Sequence, residues 1–275
     1  MPLRRYEDYP PQEPFSPIGE VFHARARELS AGIEGNSFSY GPSPYQEVAV
    51  FPAADPDGRV LVFMHGGGWT NGYKEWMAFM APPLNEAGVT FVSADYRLSP
   101  ANLWPDGRND AAAALAWVHA NIADHGGDPE RIYVGGHSAG GHYAAWLAVR
   151  DGWQEGAGVP DNVIKGYLPV SGVYDFTPGN GMPQKPRFLG DDPATEIKAS
   201  PLHTIAGTPP PFFVAWGDDD FPQLMKQACQ MVDALKAAGT AVTALEMAGC
   251  DHAQASFVCA DPAGPWLPVA LAFMR

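Results

Sequence analysis

From residue 46 onward, short apolar runs rich in β-branched and aromatic side chains alternate with longer helical stretches. This rhythm limits the fold more than any other feature of the chain. Gln46–Phe51, Arg59–Met64, Val89–Asp95, Arg131–Gly135, Ile164–Val170, Pro211–Trp216 and Ala241–Glu246 read as strands. Val60-Leu61-Val62-Phe63-Met64 is apolar without alternation, as expected of a strand covered on both faces. Between and beyond the strands, helices are expected over Trp76–Ala87, Asp106–His119, Ala139–Val149, Gln223–Ala238 and Pro265–Met274. The pattern implies βαβ units: one α/β domain over residues 46–275, with a mainly parallel sheet and helices on both faces.

Two segments stand outside that rhythm. Residues 1–45 are rich in Pro and polar groups with one helix near Val21–Leu29, and are expected to form an N-terminal arm over the domain or its cleft. Residues 174–208 carry many Pro, Gly and polar residues and are too long for an ordinary connection, so they read as a loop or small cap near the functional face.

Charge narrows the function classes. With 17 Lys+Arg against 31 Asp+Glu, the formal charge is −14, which argues against nucleic acid or an anionic membrane as partner. Apolar runs fall short of the ~18 residues of a membrane span, and Met1–Asp8 shows no apolar signal core. Cys229, Cys250 and Cys259 cannot all pair and lack metal-ligand spacing. The expectation is a soluble cytoplasmic protein with free thiols, no metal and no cofactor. A homodimer is left open.

Gly136-His137-Ser138-Ala139-Gly140 has the form G-x-S-x-G between a strand and a helix. So sharp a turn holds a serine hydroxyl at a helix N-terminus, where backbone N–H groups and the helix dipole favour a developing anion. The ordinary alternative for Ser138 is a helix N-cap. His65-Gly66-Gly67-Gly68-Trp69 follows a buried strand, and its consecutive glycines expose N–H groups suited to an oxyanion. A phosphate cradle is disfavoured because neither G-K-[ST] nor G-x-G-x-x-G is present. The Ala139 N–H, next to the serine, would be a further donor.

A serine nucleophile needs a base, and the base an orienting carboxylate. Of His142, His203 and His252, the last lies just past a strand's carboxyl end, where sites in open α/β sheets form. His142 reads as a structural residue on the elbow helix. The carboxylate is expected after Pro211–Trp216, where Asp218, Asp219 and Asp220 compete and spacing does not choose. Cys250 lacks an elbow and reads as a small apolar filler.

These motifs resemble those of α/β-hydrolase-fold enzymes, in particular the hormone-sensitive-lipase-like carboxylesterases and the kynurenine formamidases. Asp95-Tyr96-Arg97-Leu98-Ser99-Pro100, with Pro105 and Asp110, is similar to a stretch between the two motifs in that group. The resemblance covers roughly residues 40 to 275. It implies that Gly67 and Gly68 donate to the oxyanion and that the acid is Asp220, three residues after Gly217. Tyr40–Gln46, Gly136–His142 and Ser171–Asp175 are similar to the formamidase branch, whereas Gly68 follows the esterase form.

The expected reaction is cofactor-independent hydrolysis of a small carboxylic ester or aryl formamide through an acyl-enzyme on Ser138, with His252 as base and Asp220 orienting it. Trp69, Trp76, Tyr96, Trp104, Phe188 and Phe221 are candidates to line the substrate pocket. Competing classes are a specialised amidase or acyltransferase on the same triad, and a non-catalytic ligand-binding receptor of the same fold. A cysteine-based lactone hydrolase would need Cys at position 138, where the chain has Ser.

Overall fold

A computed structural model describes residues 1–150, 152–180 and 185–275. Among the described residues the sheet has eight strands in the order β1-β2-β4-β3-β5-β6-β7-β8. They are β1 (Asn36–Ser39), β2 (Glu47–Phe51), β3 (Gly58–Met64), β4 (Thr90–Ala94), β5 (Gly127–His137), β6 (Ile164–Val170), β7 (Phe212–Gly217) and β8 (Val242–Met247). β2 runs antiparallel to β1 and β4, and the remaining neighbours are parallel. This is the mainly parallel α/β sheet anticipated from the alternation, in the α/β-hydrolase arrangement that the motif resemblance implied.

The helices are α1 (Pro17–Ser30), α2 (Ala81–Glu86), α3 (Asp106–Asn121), α4 (Ala139–Val149), α5 (Trp153–Ala157), α6 (Lys185–Leu189), α7 (Ala194–Ala199), α8 (Pro222–Ala237), α9 (His252–Phe257) and α10 (Trp266–Phe273). Among the described residues none is long and apolar enough to cross a membrane. β3 and β4 are buried through most of their length, which is why they read as buried strands, and β5 is buried from Ile132 to His137 after a polar start. α4 packs on β3, β5 and β6, and all eleven of its residues are buried.

Three segments differ from the sequence reading. The helix expected over Trp76–Ala87 is a 3₁₀ stretch, Lys74–Met80, followed by α2. Pro82 and Pro83 lack N–H groups, so a single α-helix cannot run through them, although they suit the first turn of a new one. Residues 36–39 add β1 to the sheet edge, and α1 packs against the 3₁₀ stretch. Among the described residues, the expected insertion at 174–208 holds two short α-helices, α6 and α7, and a 3₁₀ turn at Pro201–His203; its residues 181–184 lie outside them.

The chain passes from β3 outward to β4, then returns to β5 on the other side of β3. Such a reversal opens a crevice at the carboxyl ends of the strands. The register Met64↔Gly136 brings the ends of β3 and β5 level, so the loops that follow them meet there.

Candidate active site

Ser138 sits between β5 and α4 with φ 54° and ψ −114°, outside the range an L-residue adopts without strain. The turn closes only because its neighbours lack side chains. A Cβ on Gly136 would run into the Gly140 backbone, and one on Gly140 into the Met64 carbonyl. The strain is held by the Ser138 N–H, which donates to the Val170 carbonyl at 3.0 Å, and by the Ser138 carbonyl, which accepts from His142 N–H at 2.9 Å. The hydroxyl makes no capping bond to α4, and the backbone is not in the extended region of an N-cap. The N-cap alternative therefore fails on geometry.

The His65–Trp69 loop crosses directly above this turn. Gly67, Gly68 and Trp69 all have positive φ, at 110°, 60° and 64°. At Gly67 a Cβ would also strike the Asn71 carbonyl, which accepts no such intrusion because the loop is folded back on itself: Thr70 and Asn71 N–H groups donate to the Gly67 carbonyl at 3.2 and 3.0 Å. Among the described residues no backbone carbonyl accepts from the N–H of Gly67, Gly68 or Ala139.

The three aspartates after β7 separate by burial. Asp218 and Asp219 are exposed, and Asp218 accepts from Gly249 N–H at 2.7 Å. Asp220 is buried, and its Oδ1 lies 2.8 Å from His252 Nδ1. Burial alone would raise the Asp220 carboxyl. The hydrogen bond and charge of His252, the nearby Ser171 hydroxyl and the Phe221 N–H outweigh it and hold the group below its ordinary value. His252 opens α9, whose N-terminus is fixed by a capping box. Asp251 accepts from Gln254 N–H at 2.7 Å, and Gln254 Oε1 accepts from Asp251 N–H at 2.9 Å. The D-x-x-Q spacing was the sequence signal for that helix, and the sequence reading left it unused.

A cavity of about 450 Å³ joins these parts, lined by Gly67, Gly68, Ser138 and His252 together with Pro14, Phe15, Ser16, Ile18, Gly19 and Phe22 of the N-terminal segment. Trp69, Trp76 and Phe221 line it as expected, Phe221 lying 4.9 Å from the His252 ring. Tyr96, Trp104 and Phe188 do not. Phe188 is fully buried and stacks on Trp69 at 4.2 Å, Trp104 packs edge-on to Phe188, and Tyr96 stacks on His65 with its hydroxyl donating to the His65 carbonyl at 2.8 Å. They form the wall behind the cavity, where the demand for apolar bulk is the same as in a lining. His142 is likewise internal, and His203 lies 3.1 Å from Asp175. Burial, then the charges of Asp218 and Asp251, push the Cys250 thiol up, away from the reactive thiolate.

Two features went unread in the sequence. His137 Nε2 lies 2.8 Å from the His252 carbonyl, so it carries the proton and ties the residue before Ser138 to the backbone of His252. Burial, with the charge of His252, holds the His137 imidazole down at about 3. The second is a buried charge cluster behind the donor loop. Lys74 Nζ lies 3.0 Å from Glu47, 2.8 Å from Glu75 and 3.4 Å from Asp95, and Arg4 also pairs with Glu47. Burial alone pulls Lys74 down, but Asp95 and Glu75 outweigh it and hold the ammonium above its ordinary value.

The alpha/beta hydrolase fold family model matches residues 61–256, most of the chain, from the strand before the donor loop to the helix that carries His252. The chain belongs to this alpha/beta hydrolase family. Among its relatives, the probable carboxylic ester hydrolase LipM of Mycobacterium tuberculosis is 36% identical over 214 residues, covering 72% of this chain and 50% of LipM. The isoprenylcysteine alpha-carbonyl methylesterase ICME of Arabidopsis thaliana is 29% identical over 237 residues, 78% of this chain and 56% of that protein. This alpha/beta hydrolase thus spans about half the length of these curated relatives. Among solved structures, EstE1, a thermostable carboxylesterase cloned from a metagenomic library, superposes with a TM-score of 0.76 at 25% identity, covering 94% of both chains.

Proposed function

We propose that this chain hydrolyses carboxylic esters through an acyl-enzyme on Ser138. The observation that carries the reading is one cavity lined by a strained serine, a histidine bonded to a buried aspartate, and glycines of a donor loop. In the first step Ser138 Oγ bonds to the ester carbonyl carbon while its proton passes to His252 Nε2. Asp220 keeps the Nδ1–H tautomer and favours the imidazolium that forms. The N–H groups of Gly67, Gly68 and Ala139 receive the oxyanion. When the tetrahedral species collapses, the bond to the leaving alkoxide oxygen breaks and His252 returns the proton to it. Water then attacks the acyl-Ser138 ester, with His252 again taking and returning a proton, and the carboxylic acid leaves.

Esterase names among the relatives, and glycine rather than a bulky residue at position 68, favour an ester over an aryl formamide. The test is kcat/KM for p-nitrophenyl butyrate against N-formylkynurenine, with Ser138→Ala as the blank. The expected result is a clear preference for the ester and a loss of at least about 10³-fold in the variant. A preference for the formamide would move the protein to the formamidase branch. Normal turnover by Ser138→Ala, or silence on both substrates, would overturn the reading.

A further inference from the structure

The protein is strongly acidic, with 31 Asp+Glu against 17 Lys+Arg, yet its cavity is not. Among the described residues the lining includes no Asp or Glu, and its one Lys or Arg is Arg187. Resting on the esterase reading above, we propose that Arg187 adapts this cavity to esters that carry a second, free carboxylate: half-esters of dicarboxylic acids.

Arg187 is well placed for that task because its helix is anchored at the site. The next residue, Phe188, is fully buried against Trp69, which directly follows the glycines of the donor loop. The Phe188 carbonyl also accepts from the Trp104 N–H at 2.9 Å. The guanidinium offers five N–H donors in a planar fork, a shape that matches a carboxylate. One carboxylate already sits on it: Arg187 Nη2 pairs with Glu13 Oε2. Glu13 belongs to a segment bound to the far end of the donor loop. The Gln12 amide donates to the Gly72 carbonyl at 2.8 Å and accepts from the Gly72 N–H at 2.9 Å, and the Asn71 amide donates to the Glu13 carbonyl at 2.5 Å.

The Arg187 and Glu13 side chains keep 48% and 34% of their surface in solvent, and ion pairs so exposed are weak. Glu13 thus acts as a built-in stand-in for the substrate carboxylate, easily displaced or joined by it. The net field of a −14 protein repels an anion, so a preference for a charged ester requires a local cation.

Glu13→Gln and Arg187→Gln break the same ion pair, and the proposal requires opposite consequences. The assay is kcat/KM at pH 7.5 for monoethyl succinate, glutarate and adipate, each against the ethyl ester of an unsubstituted acyl chain of the same length. Wild type is expected to prefer at least one half-ester over its neutral counterpart. Arg187→Gln should lower that ratio about tenfold, Glu13→Gln should raise it, and Arg187→Lys should restore part of it. Were the pair only an anchor for the N-terminal segment, both glutamine variants would lower turnover of charged and neutral esters alike, and the proposal would fall. It also falls if wild type prefers every neutral ester. No turnover of either series would instead remove the esterase reading itself.

Discussion

Acidification should expose how the histidine behind the site is held. His142 on α4 is fully buried, its Nδ1 lies 3.2 Å from Trp69 Nε1 and its Nε2 lies 2.8 Å from the Ala199 carbonyl. A carbonyl only accepts and an indole N–H only donates, so the proton is on Nε2 and Nδ1 is bare. A second proton would set N–H against N–H in an apolar layer made of Trp69, Phe176 and Phe188. Burial accordingly holds the imidazole down at about 3, against an ordinary value of 6.5, with the Ala199 bond opposing only in part. A folded pKa below the unfolded one gives stability that is fully present above pH 6.5 and is lost as pH falls toward 3. At pH 5.5 the unfolded imidazole is about nine-tenths protonated and the folded one is not, which costs about 1.4 kcal/mol relative to pH 7.5. His137, held down by burial to the same degree, adds a similar loss. His142→Gln keeps a donor and an acceptor but cannot titrate. It should be destabilised at pH 7.5 by about 1–3 kcal/mol through poorer packing and geometry. Its unfolding free energy should nevertheless fall by about 1.4 kcal/mol less than wild type between pH 7.5 and 5.5. Urea unfolding followed by tryptophan fluorescence measures both, and the interval stays above the sequence pI of about 4.8. Parallel pH profiles for the two proteins would refute the neutral, doubly bonded histidine.

Two further substitutions probe the loop and its support. Gly67→Ala must place a Cβ at φ 110° against the Asn71 carbonyl, so it should reduce kcat by about 10²–10³ while circular dichroism stays native; a change within threefold would sink the donor role. Lys74→Met strands the carboxylates of Glu75 and Asp95 away from solvent, leaving Glu47 with Arg4, and should destabilise the protein by about 3–5 kcal/mol in chemical denaturation. A loss under about 1 kcal/mol would show that the cluster is not relying on that ammonium.

The elbow and the donor loop were legible because each is encoded locally: a buried strand, glycines where backbones must touch, then a helix. Ala139–Val149 and Ile164–Val170 were read with the bounds they have in the structure. β1 was missed because Asn36-Ser37-Phe38-Ser39 is short and polar, an edge strand recognisable only by its pairing with β2. The choice among Asp218, Asp219 and Asp220 lay beyond spacing, since burial and the approach of His252 separate them and both depend on the folded chain. Tyr96, Trp104 and Phe188 were misassigned to the lining for a related reason: a pocket wall and the layer behind it call for the same side chains. Lys74 gave no signal at all. A lysine followed by a glutamate looks solvated in sequence, and Lys74 is fully buried only because Glu47 and Asp95 converge on it and Glu75 from separate elements.

That convergence bears on how a glycine-rich loop can hold donors still. Gly66, Gly67 and Gly68 have wide conformational freedom, and a loop that must be ordered during the reaction adds that ordering to the barrier. Here the order is imposed beforehand from both ends. At the Ser138 end, a Cβ on Gly66 would lie 2.9 Å from His137 Nδ1 and 3.2 Å from Ser138 Cβ, so the loop already rests on the elbow. At the far end, Gln12 and the Glu13 carbonyl grip Gly72 and Asn71, and the Tyr9 hydroxyl, with its single proton, lies 2.9 Å from Glu75 and 2.7 Å from Asp95. Asp95 in turn accepts the Lys74 N–H at 2.6 Å, fixing the chain two residues beyond Gly72. In the proposed reaction the N-terminal segment would therefore act without touching the reacting atoms. By clamping the loop it would spare the proposed donors any reorganisation as the oxyanion forms, with their orientation set by residues more than fifty positions earlier in the chain.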